Sequence, residues 1–423
     1  MAAEFLDVAT EDRAQADALL EASPALAEAG PFHALVLGDA PAVERALDDG
    51  TLALDAPAGP LRMTPLLYVC FSRYAQRGSP RAPALVELAR RLVARGANPN
   101  ATFETPRYPG NPFPCLYGAS GYNDNPELTR LLVEAGARVD DDESIYHSTE
   151  HADLECLRVL LASRPRVSGH VLRHMLDRED IAGATLLLDA GADPADANGR
   201  GETALHWAVW RDRSPAIVRL LLARGAPIDA RRVDGRTAYA MAVLFGRDAL
   251  REVLGGAGAD TTLAPLDHYL DACNRAAATA GSAPPGPPPG PPPAPAAADA
   301  HLLPDLANAS RLAGVGALLA AGIGVDERGE HGATALHFAC WNGADTLVEL
   351  LLARSADTRI ADRTFNAAPG GWLLHGAQFC SEPRGSYAAA LRALLAAGAP
   401  VVADEPTGRP EVDAILRERH LLQ

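Results

Sequence analysis

The sequence predicts an all-α protein, built as a solenoid of about ten helix-turn-helix units. Three observations lead to this class. The string ETALHWAVW at Glu202–Trp210 returns as ATALHFACW at Ala333–Trp341, and the matching threonines lie 131 positions apart. That distance is about four periods of 33 residues, a length typical of stacked helical repeats. Apolar residues reach 48% while aromatic residues reach only 5%, a composition in which short helices pack through alanine and leucine.

A recurring turn marks the end of each unit. Runs such as IVRLLLARG (Ile217–Gly225) carry apolar residues at helical spacing and end on a glycine that can adopt the left-handed cap of a helix. The spacings between successive turns are mostly near the period of about 33 residues. We predict that these runs are the outer helices. The turns lie at Gly96, Gly136, Arg164, Gly191, Gly225, Gly258, Gly322, Ser355 and Gly398.

A shorter inner helix precedes each outer helix. Thr203 and Thr334 open two of these helices, where a threonine hydroxyl can cap the first turn. Two helices of about ten residues cannot bury both of their apolar faces alone, so neighbouring units must stack. We place the starts of the units near His33, Met63, Phe113, Ser144, His170, Thr203, Thr237, His301, Thr334 and Gly370.

The strings TALHWA, TALHFA and TPLLYV (Thr64–Val69), with their GAD-like turns, resemble the ankyrin repeat and its Thr-Pro-Leu-His opening. The resemblance covers roughly residues 30 to 405, and the units near 144 and 170 depart from it most. The chain is similar to the long bacterial ankyrin-repeat proteins, in which a late unit carries a Gly-Trp pair like that of GGWLLHG (Gly370–Gly376). The resemblance implies that His206 and His337 are structural, each bridging the threonine hydroxyl and the backbone of the adjoining turn.

The repeats suggest five segments along the chain. We predict N-terminal capping helices in 1–31, a first block of about seven units in 32–263, and a helix with a proline-rich linker in 264–300. A second block of about three units would occupy 301–405, and a C-terminal capping helix 406–423. The longer spacings, from Gly96 to Gly136 and from Ser355 to Gly398, indicate extra loop residues, as do the stretches 74–83 and 381–387.

The stretch APPGPPPGPPPAPAAA (Ala283–Ala298) cannot form a helix, because proline lacks the backbone donor. It is either a ligand for a proline-recognising groove or a spacer. The sequence leaves two arrangements open. The stack continues past this stretch, or the chain forms two blocks joined flexibly.

Charge and composition exclude several classes of function. The 38 basic residues, all arginine, face 54 acidic residues, and the net charge of −16 argues against nucleic acid as a ligand. The sequence has no basic, apolar leader at its start and no run of about 18 apolar residues that could cross a membrane. The six cysteines lie far apart without a Cys-x-x-Cys pair, which fits free thiols in a reducing compartment. We expect a cytoplasmic monomer that binds no membrane.

Candidate chemistry is sparse. His147 with His151, and His170 with His174, are each one helical turn apart, but neither pair forms His-Glu-x-x-His and no third metal ligand is evident. The acidic run Asp140–Glu143 is better explained as a solvated turn. There is no Gly-x-Ser-x-Gly elbow and, in a chain without lysine, no phosphate-binding loop. We predict no enzyme activity, no metal and no cofactor.

The predicted binding residues lie on the inner helices. In ankyrin repeats, the residue four positions beyond the histidine of the opening projects toward the concave groove, and the fold does not dictate its identity. At this position we find Phe71, Ser120, Trp210, Leu244, Trp341 and, by the Gly-Trp alignment, His375. We predict a partner-binding set of Phe71, Trp210, Arg211, Leu244, Trp341, Asn342 and His375, and a structural set of Thr64, Thr203, His206, Thr334 and His337.

The function predicted from these features is a non-catalytic scaffold that binds another protein on the concave groove. The net charge of −16 favours a partner with a basic surface. Two alternatives stay open: a metal-dependent hydrolase in the irregular units 144–196, and a translocated effector that acts on host proteins.

Overall fold

The computed structural model describes residues 2–105, 108–141, 143–280, 290–380 and 383–422. Within these ranges the chain is mostly helical, and it divides into two compact units. The first unit is Met1–Asn198 with Ala223–Ala226, and the second is Gly199–Leu222 with Pro227–Gln423. Residues 283–289 of the proline-rich stretch, Asp142 of the acidic run and residues 381–382 lie outside the described residues.

The first unit is a series of helix pairs that begins with two N-terminal helices. Its helices are α1 (Ala2–Glu11), α2 (Arg13–Ala22), α3 (Pro31–Leu37), α4 (Ala40–Asp48), α5 (Pro65–Phe71), α6 (Ala82–Ala94), α7 (Cys115–Tyr117), α8 (Pro126–Glu134), α9 (Glu143–Ser148), α10 (Glu155–Ala162), α11 (Gly169–Met175) and α12 (Ile181–Asp189). A π-helical turn, Gly118–Tyr122, extends α7. Phe5 of α1 stacks on His33 of α3 with ring centroids 5.5 Å apart, so the first helix covers the first repeat.

An antiparallel hairpin occupies the insertion between Gly96 and Gly136. Its strands are β1 (Thr102–Thr105) and β2 (Tyr108–Pro114), and Phe103 pairs with Phe113. The sequence predicts only loop residues here. A hairpin satisfies the backbone donors and acceptors of such an insertion and gives it an apolar face.

The second unit consists of successive helix pairs, except at α17. Its helices are α13 (Ala204–Trp210), α14 (Pro215–Ala223), α15 (Ala238–Leu244), α16 (Asp248–Gly256), α17 (Pro265–Ala280), α18 (Leu302–Asn308), α19 (Leu312–Ala320), α20 (Ala335–Trp341), α21 (Asp345–Ala353), α22 (Pro369–Phe379), α23 (Tyr387–Ala396) and α24 (Pro410–Glu418). The inner helices α18, α20 and α22 pack side by side, and the outer helices α19, α21 and α23 follow the same order. Helix α24 packs on α23 and closes this series.

The turns adopt the backbone that the sequence predicts. Gly96 and Gly225 have φ of 97° and 84°, in the left-handed region that glycine enters without steric cost. Arg164 and Ser355 hold the corresponding turns with φ of 54° and 64°. The turn geometry therefore persists where glycine is absent, because the packed helices on either side impose it.

Buried ion pairs join the helices on both sides of the proline-rich stretch. Arg236 bonds Asp267 of α17 through Nε and Nη2, at 3.0 and 2.6 Å, and its Nη1 lies 2.9 Å from Asp299. Arg232 and Arg200 each place Nη2 2.7 Å from Asp305 of α18. The segments before and after the prolines thus belong to one compact unit, which favours a stack that continues past the insertion.

Candidate functional site

Two threonine-histidine pairs fix the starts of α13 and α20. The backbone N–H of Thr203 donates to Nδ1 of His206 over 3.2 Å, and the Thr203 hydroxyl oxygen lies 3.0 Å from the same nitrogen. Nε2 of His206 donates to the carbonyl oxygen of Arg236 in the next turn, at 3.3 Å. This is the bridge that the resemblance implies, and it ties one inner helix to the turn of the following unit.

The second pair has the same geometry. The N–H and hydroxyl of Thr334 lie 3.0 and 2.9 Å from Nδ1 of His337, whose Nε2 donates to the carbonyl oxygen of Ala367 at 3.2 Å. Burial lowers the pKa of both histidines, His206 and His337, to about 4, so each ring is neutral at pH 7. The Thr64 hydroxyl oxygen caps α5 differently, by accepting the N–H of Leu67 at 3.4 Å.

An aromatic cavity lies in the second unit, between the ends of α13 and α20 and the middle of α22. Its volume is about 430 Å³. Four of the predicted partner-binding residues line it: Trp210, Arg211, Trp341 and His375. The other lining residues are Asn308, His331, Phe338, Phe365, Ala367, Gly371 and Trp372. We call this site the aromatic cavity.

Aromatic rings follow one another along the cavity. The distances between ring centroids are 5.7 Å for His331–Phe365, 6.2 Å for Phe365–Trp372, 6.3 Å for Trp372–Trp341 and 5.4 Å for Trp341–His375. Phe365 is 65% exposed, and Phe379, next to His375, is 60% exposed. Exposed apolar side chains gathered in one patch are typical of a surface that binds a partner.

Arg211 and Trp210 form one wall of the cavity. The Arg211 guanidinium lies 4.4 Å from the Trp210 ring centroid and 5.4 Å from that of Trp207, a cation–π arrangement. Trp210 is only 6% exposed, and its indole N–H has no hydrogen-bond partner within the described residues. Trp210 is therefore buried, contrary to the expectation that it faces an open groove, and the Arg211 guanidinium covers its ring.

Asp362, which the repeat pattern does not predict as a site residue, organises the opposite wall. Its carboxylate accepts the indole N–H of Trp372 at 3.0 Å and the backbone N–H groups of Phe365 and Ala367 at 2.6 and 3.0 Å. Burial opposes ionisation of Asp362, but these hydrogen bonds outweigh it and the pKa lies below its usual value. The only signal in the sequence is an Asp ten residues before a Trp, which has no recognised spacing.

The structure corrects the placement of Phe71 and Leu244. Both side chains are buried, contrary to the expectation that they face an open groove. Phe71 packs against Phe103 of the hairpin and Tyr117, with ring centroids 4.6 and 5.9 Å away, because the insertion covers it. Leu244 is buried where α17 packs on α15.

Ser120 and Asn342 are structural as well. The buried Ser120 hydroxyl donates to the carbonyl oxygen of Leu116 at 2.8 Å. Asn342 is 9% exposed, and its Nδ2 donates to the carbonyl oxygen of Asn308 at 2.9 Å, which ties the end of α20 to the end of α18. Asn342 therefore supports Asn308, which lines the cavity, and is not itself a lining residue, contrary to its prediction as a binding residue.

The histidines once considered as metal ligands have other partners. His147 lies between Glu143 and Glu150, at 3.4 and 3.2 Å, and these carboxylates raise its pKa to about 9 although burial opposes this. His174 lies 3.0 Å from Glu150. His151 Nε2 lies 2.9 Å from the carbonyl oxygen of Gly121. Across the described ranges, no group of three or more His, Cys, Asp or Glu residues is arranged to hold a metal ion.

Comparisons with known proteins agree with the repeat anatomy. A family model described as "Ankyrin repeats (many copies)" matches residues 187–242, and a second, "Ankyrin repeat", matches residues 331–363. These stretches contain Trp210 and Trp341 with their threonine-histidine pairs. Within the described part of the chain, no helix is long and apolar enough to span a membrane.

Two individual proteins are similar over part of the chain. Protein PhlB of Serratia liquefaciens is 49% identical over 78 residues, which is 18% of this chain and 34% of that protein. The match thus spans about a third of the length of this relative. The crystal structure of EF0377, an ankyrin repeat protein, matches 41% of this chain and 92% of its own with 22% identity and a TM-score of 0.35.

Proposed function

We propose that this chain, which is an ankyrin-repeat protein, is a non-catalytic module that binds a protein partner in the aromatic cavity. Ankyrin repeats imply a role in protein–protein interaction, and the cavity is the surface best suited to it. The observation that carries the proposal is that four predicted binding residues line one cavity together with a row of aromatic rings, of which Phe365 is 65% exposed. Tryptophan and tyrosine are the side chains that most often dominate binding energy at protein interfaces.

The cavity has the dimensions and chemistry of an anchor site. A volume of about 430 Å³ accommodates one or two side chains of a partner. Trp341 is half-buried at its centre, and Phe365 extends the wall outward. The threonine-histidine bridges fix the starts of α13 and α20, and a rigid wall of this kind would lose little entropy when a partner binds.

Site-specific photo-crosslinking in the native host tests this proposal. A benzoylphenylalanine at position 365 should crosslink to one protein, whereas the same group at Val233, which is 60% exposed and does not line the cavity, should not. With that protein purified, Trp341→Ala should weaken binding at least tenfold, the usual range for a central tryptophan. Equal crosslinking from both positions, or unchanged affinity of a folded Trp341→Ala variant, would contradict the proposal.

The described residues do not support the first alternative, a metal-dependent hydrolase in units 144–196. His147 there lies beside carboxylates and His151 beside a carbonyl oxygen, and no group of three metal ligands occurs in the described ranges. A role as a translocated effector concerns where the protein acts, and it stays a prediction, as do the cytoplasmic location and the monomeric state.

A further inference from the structure

Four arginines lie just beyond the inner helices of the second unit. Arg213 follows α13, Arg247 follows α15, Arg311 follows α18 and Arg384 follows α22. We call these residues the arginine cluster. A local gathering of cations is unexpected in a chain whose net charge is −16.

The members of the cluster lie close enough to repel one another. Burial lowers the pKa of Arg247, and the neighbouring Arg384, Arg311 and Arg213 lower it further, against the attraction of Asp212. Burial also lowers the pKa of Arg311, although Asp271 and Asp248 oppose this. Positive charges that are partly removed from water and lie near one another raise the free energy of the folded state. A bound anion would lower that free energy again.

Two of these arginines, Arg247 and Arg311, lie beside the turn at Gly246. A Cβ atom built on Gly246 would lie 2.6 Å from Nη1 of Arg311, so the glycine leaves room for this side chain beside Arg247. Nη1 of Arg247 pairs with Asp212 at 2.7 Å, and that carboxylate is itself half exposed. The buried Nε groups of Arg247 and Arg311 have no hydrogen-bond acceptor within the described residues. Both side chains are partly exposed, so a carboxylate or phosphate oxygen of a ligand can reach their outer nitrogens.

The cluster adjoins the aromatic cavity through a chain of hydrogen bonds. The backbone N–H of Arg384 donates to the carbonyl oxygen of Asn342 at 2.7 Å, next to Trp341. Asn342 in turn donates to the carbonyl oxygen of Asn308, which lines the cavity and precedes Arg311 by three residues. One extended segment of a few residues can therefore reach both sites, since each residue spans up to about 3.5 Å.

We propose that the arginine cluster binds an acidic stretch of the protein partner whose apolar side chain occupies the aromatic cavity, an inference that rests on the function proposed above. A basic segment would be repelled here, and no carboxylate occurs among the described residues that line the cavity. The net charge of −16 favours basic partners at long range. At physiological ionic strength, however, charges are screened beyond about 8 Å, so the groups beside the cavity decide which segment binds.

Matched peptides test the inference directly. Three acetylated peptides carry the same Leu-Phe anchor followed by three glutamates, three glutamines or three lysines. Tryptophan fluorescence of the protein at 0.15 M salt measures their affinities, since Trp210, Trp341 and Trp372 line the cavity. We expect the glutamate peptide to bind at least tenfold more tightly than the glutamine peptide, and the lysine peptide to bind most weakly.

Variants of the cluster assign this preference to its residues. In Arg247→Gln/Arg311→Gln the advantage of the glutamate peptide should fall below about threefold, while the affinity of the glutamine peptide stays the same. Arg392→Gln/Arg417→Gln, which removes two exposed arginines elsewhere in this unit, should keep the full advantage.

If circular dichroism shows that Arg247→Gln/Arg311→Gln is unfolded, competition between inorganic phosphate and the peptides on the original protein replaces that variant. Inorganic phosphate at constant ionic strength should then reduce the glutamate peptide to the affinity of the glutamine peptide.

The outcomes separate the two proposals. Equal affinity of the glutamate and glutamine peptides, preference for lysine, or an advantage that survives in the folded Arg247→Gln/Arg311→Gln variant would each overturn the acidic-segment inference. The proposed function survives those results if the glutamine peptide binds and loses affinity in Trp341→Ala. If none of the three peptides binds saturably up to millimolar concentration, the acidic-segment inference is wrong. The proposed function fails as well if crosslinking at position 365 gives no partner, or meets either of the contradicting results stated for it above.

Discussion

Gly376 sets how closely α22 approaches α20. A Cβ atom at this position would collide with the carbonyl oxygen of Trp341, so only glycine permits the contact. Gly371, one and a half turns earlier in the same helix, would meet only the Cβ of Ala367, at an ordinary 3.5 Å. Two glycines in one helix therefore have different roles, although the string GGWLLHG does not distinguish them.

Alanine substitutions at these glycines should have opposite effects. Gly376→Ala should lower the free energy of unfolding by about 1–3 kcal/mol, because the added methyl must push α20 and α22 apart. Gly371→Ala should raise it by up to about 1 kcal/mol, since alanine is the better helix former. Urea denaturation followed by tryptophan fluorescence measures both. A Gly376→Ala variant as stable as Gly371→Ala would contradict the close contact.

The buried histidines make stability depend on pH. The folded pKa of His206 and of His337 is about 4, below the value of 6.5 for the unfolded chain. Between these values the unfolded state binds more protons, so the free energy of unfolding falls as the pH drops from 6.5 toward 4 and is constant above 6.5. Each histidine contributes a slope of about 1.4 kcal/mol per pH unit within that window.

A histidine-to-glutamine pair tests this pH dependence. His206→Gln/His337→Gln should be less stable at pH 7, because it loses the bridges to the carbonyl oxygens of Arg236 and Ala367. Between pH 6.5 and 5 its stability should change far less than that of the original protein. Urea midpoints read by tryptophan fluorescence at half-unit pH steps give the comparison. Parallel curves for the two proteins would show that other groups cause the dependence.

Among the elements, α17 depends most on ionic contacts. It packs against α15 and α19, and its Asp267 receives two hydrogen bonds from Arg236 where both side chains are buried. Asn274 of the same helix accepts the N–H of Gly314 at 3.0 Å, which connects it to α19. These polar contacts hold α17 between α15 and α19, although α17 has no paired outer helix and is followed by the proline-rich stretch.

Asp267→Asn should therefore destabilise the second unit substantially. Removing one charge of a buried pair leaves Arg236 partly uncompensated, a change that costs about 3 kcal/mol or more. Asp260→Asn is a matched control, since Asp260 pairs with Arg231 at the surface and exposed pairs contribute little. Urea denaturation by tryptophan fluorescence reports both variants. Equal stability of the two would contradict the importance of the Arg236 contacts.

On the scale of the whole molecule, the two compact units can be observed separately. All four tryptophans, Trp207, Trp210, Trp341 and Trp372, lie in the second unit. Tryptophan fluorescence thus reports on that unit, whereas far-ultraviolet circular dichroism reports on helices of both. In repeat proteins each repeat contacts only its neighbours, so the effect of a substitution is largely local.

Phe71→Ala should affect the two signals differently. Phe71 is buried in the first unit, and its removal should cost about 3–5 kcal/mol there. The loss of circular dichroism should begin at lower urea concentration, while the midpoint of tryptophan fluorescence moves much less. Trp372→Phe lies in the second unit, so it should instead move the midpoint of tryptophan fluorescence. A shift of equal size in both signals for Phe71→Ala would show that the chain unfolds as one cooperative body.

The sequence by itself determined the features that depend on neighbouring residues. Short inner helices, left-handed turns such as that at Gly225, and the threonine-histidine bridges at Thr203 and Thr334 follow from local propensities and a repeated string. Each involves residues within one unit or the next turn, so a period of about 33 residues suffices to locate them. The same period placed Trp210, Trp341 and His375 at one repeat position, and all three line the aromatic cavity.

Only the tertiary structure decided which of those positions remain available to a partner. Phe71, Leu244, Trp210 and Trp341 occupy the same repeat position, yet of these four only Trp341 is half-buried. The hairpin covers Phe71, α17 packs on the helix that carries Leu244, and Trp210 is 6% exposed beneath Arg211. The contact of Asp362 with Trp372 and the gathering of four arginines depend on side chains that meet through packing, without any fixed spacing in sequence. Burial and electrostatic repulsion act through space, and therefore a repeat pattern, which records distance along the chain, cannot reveal them.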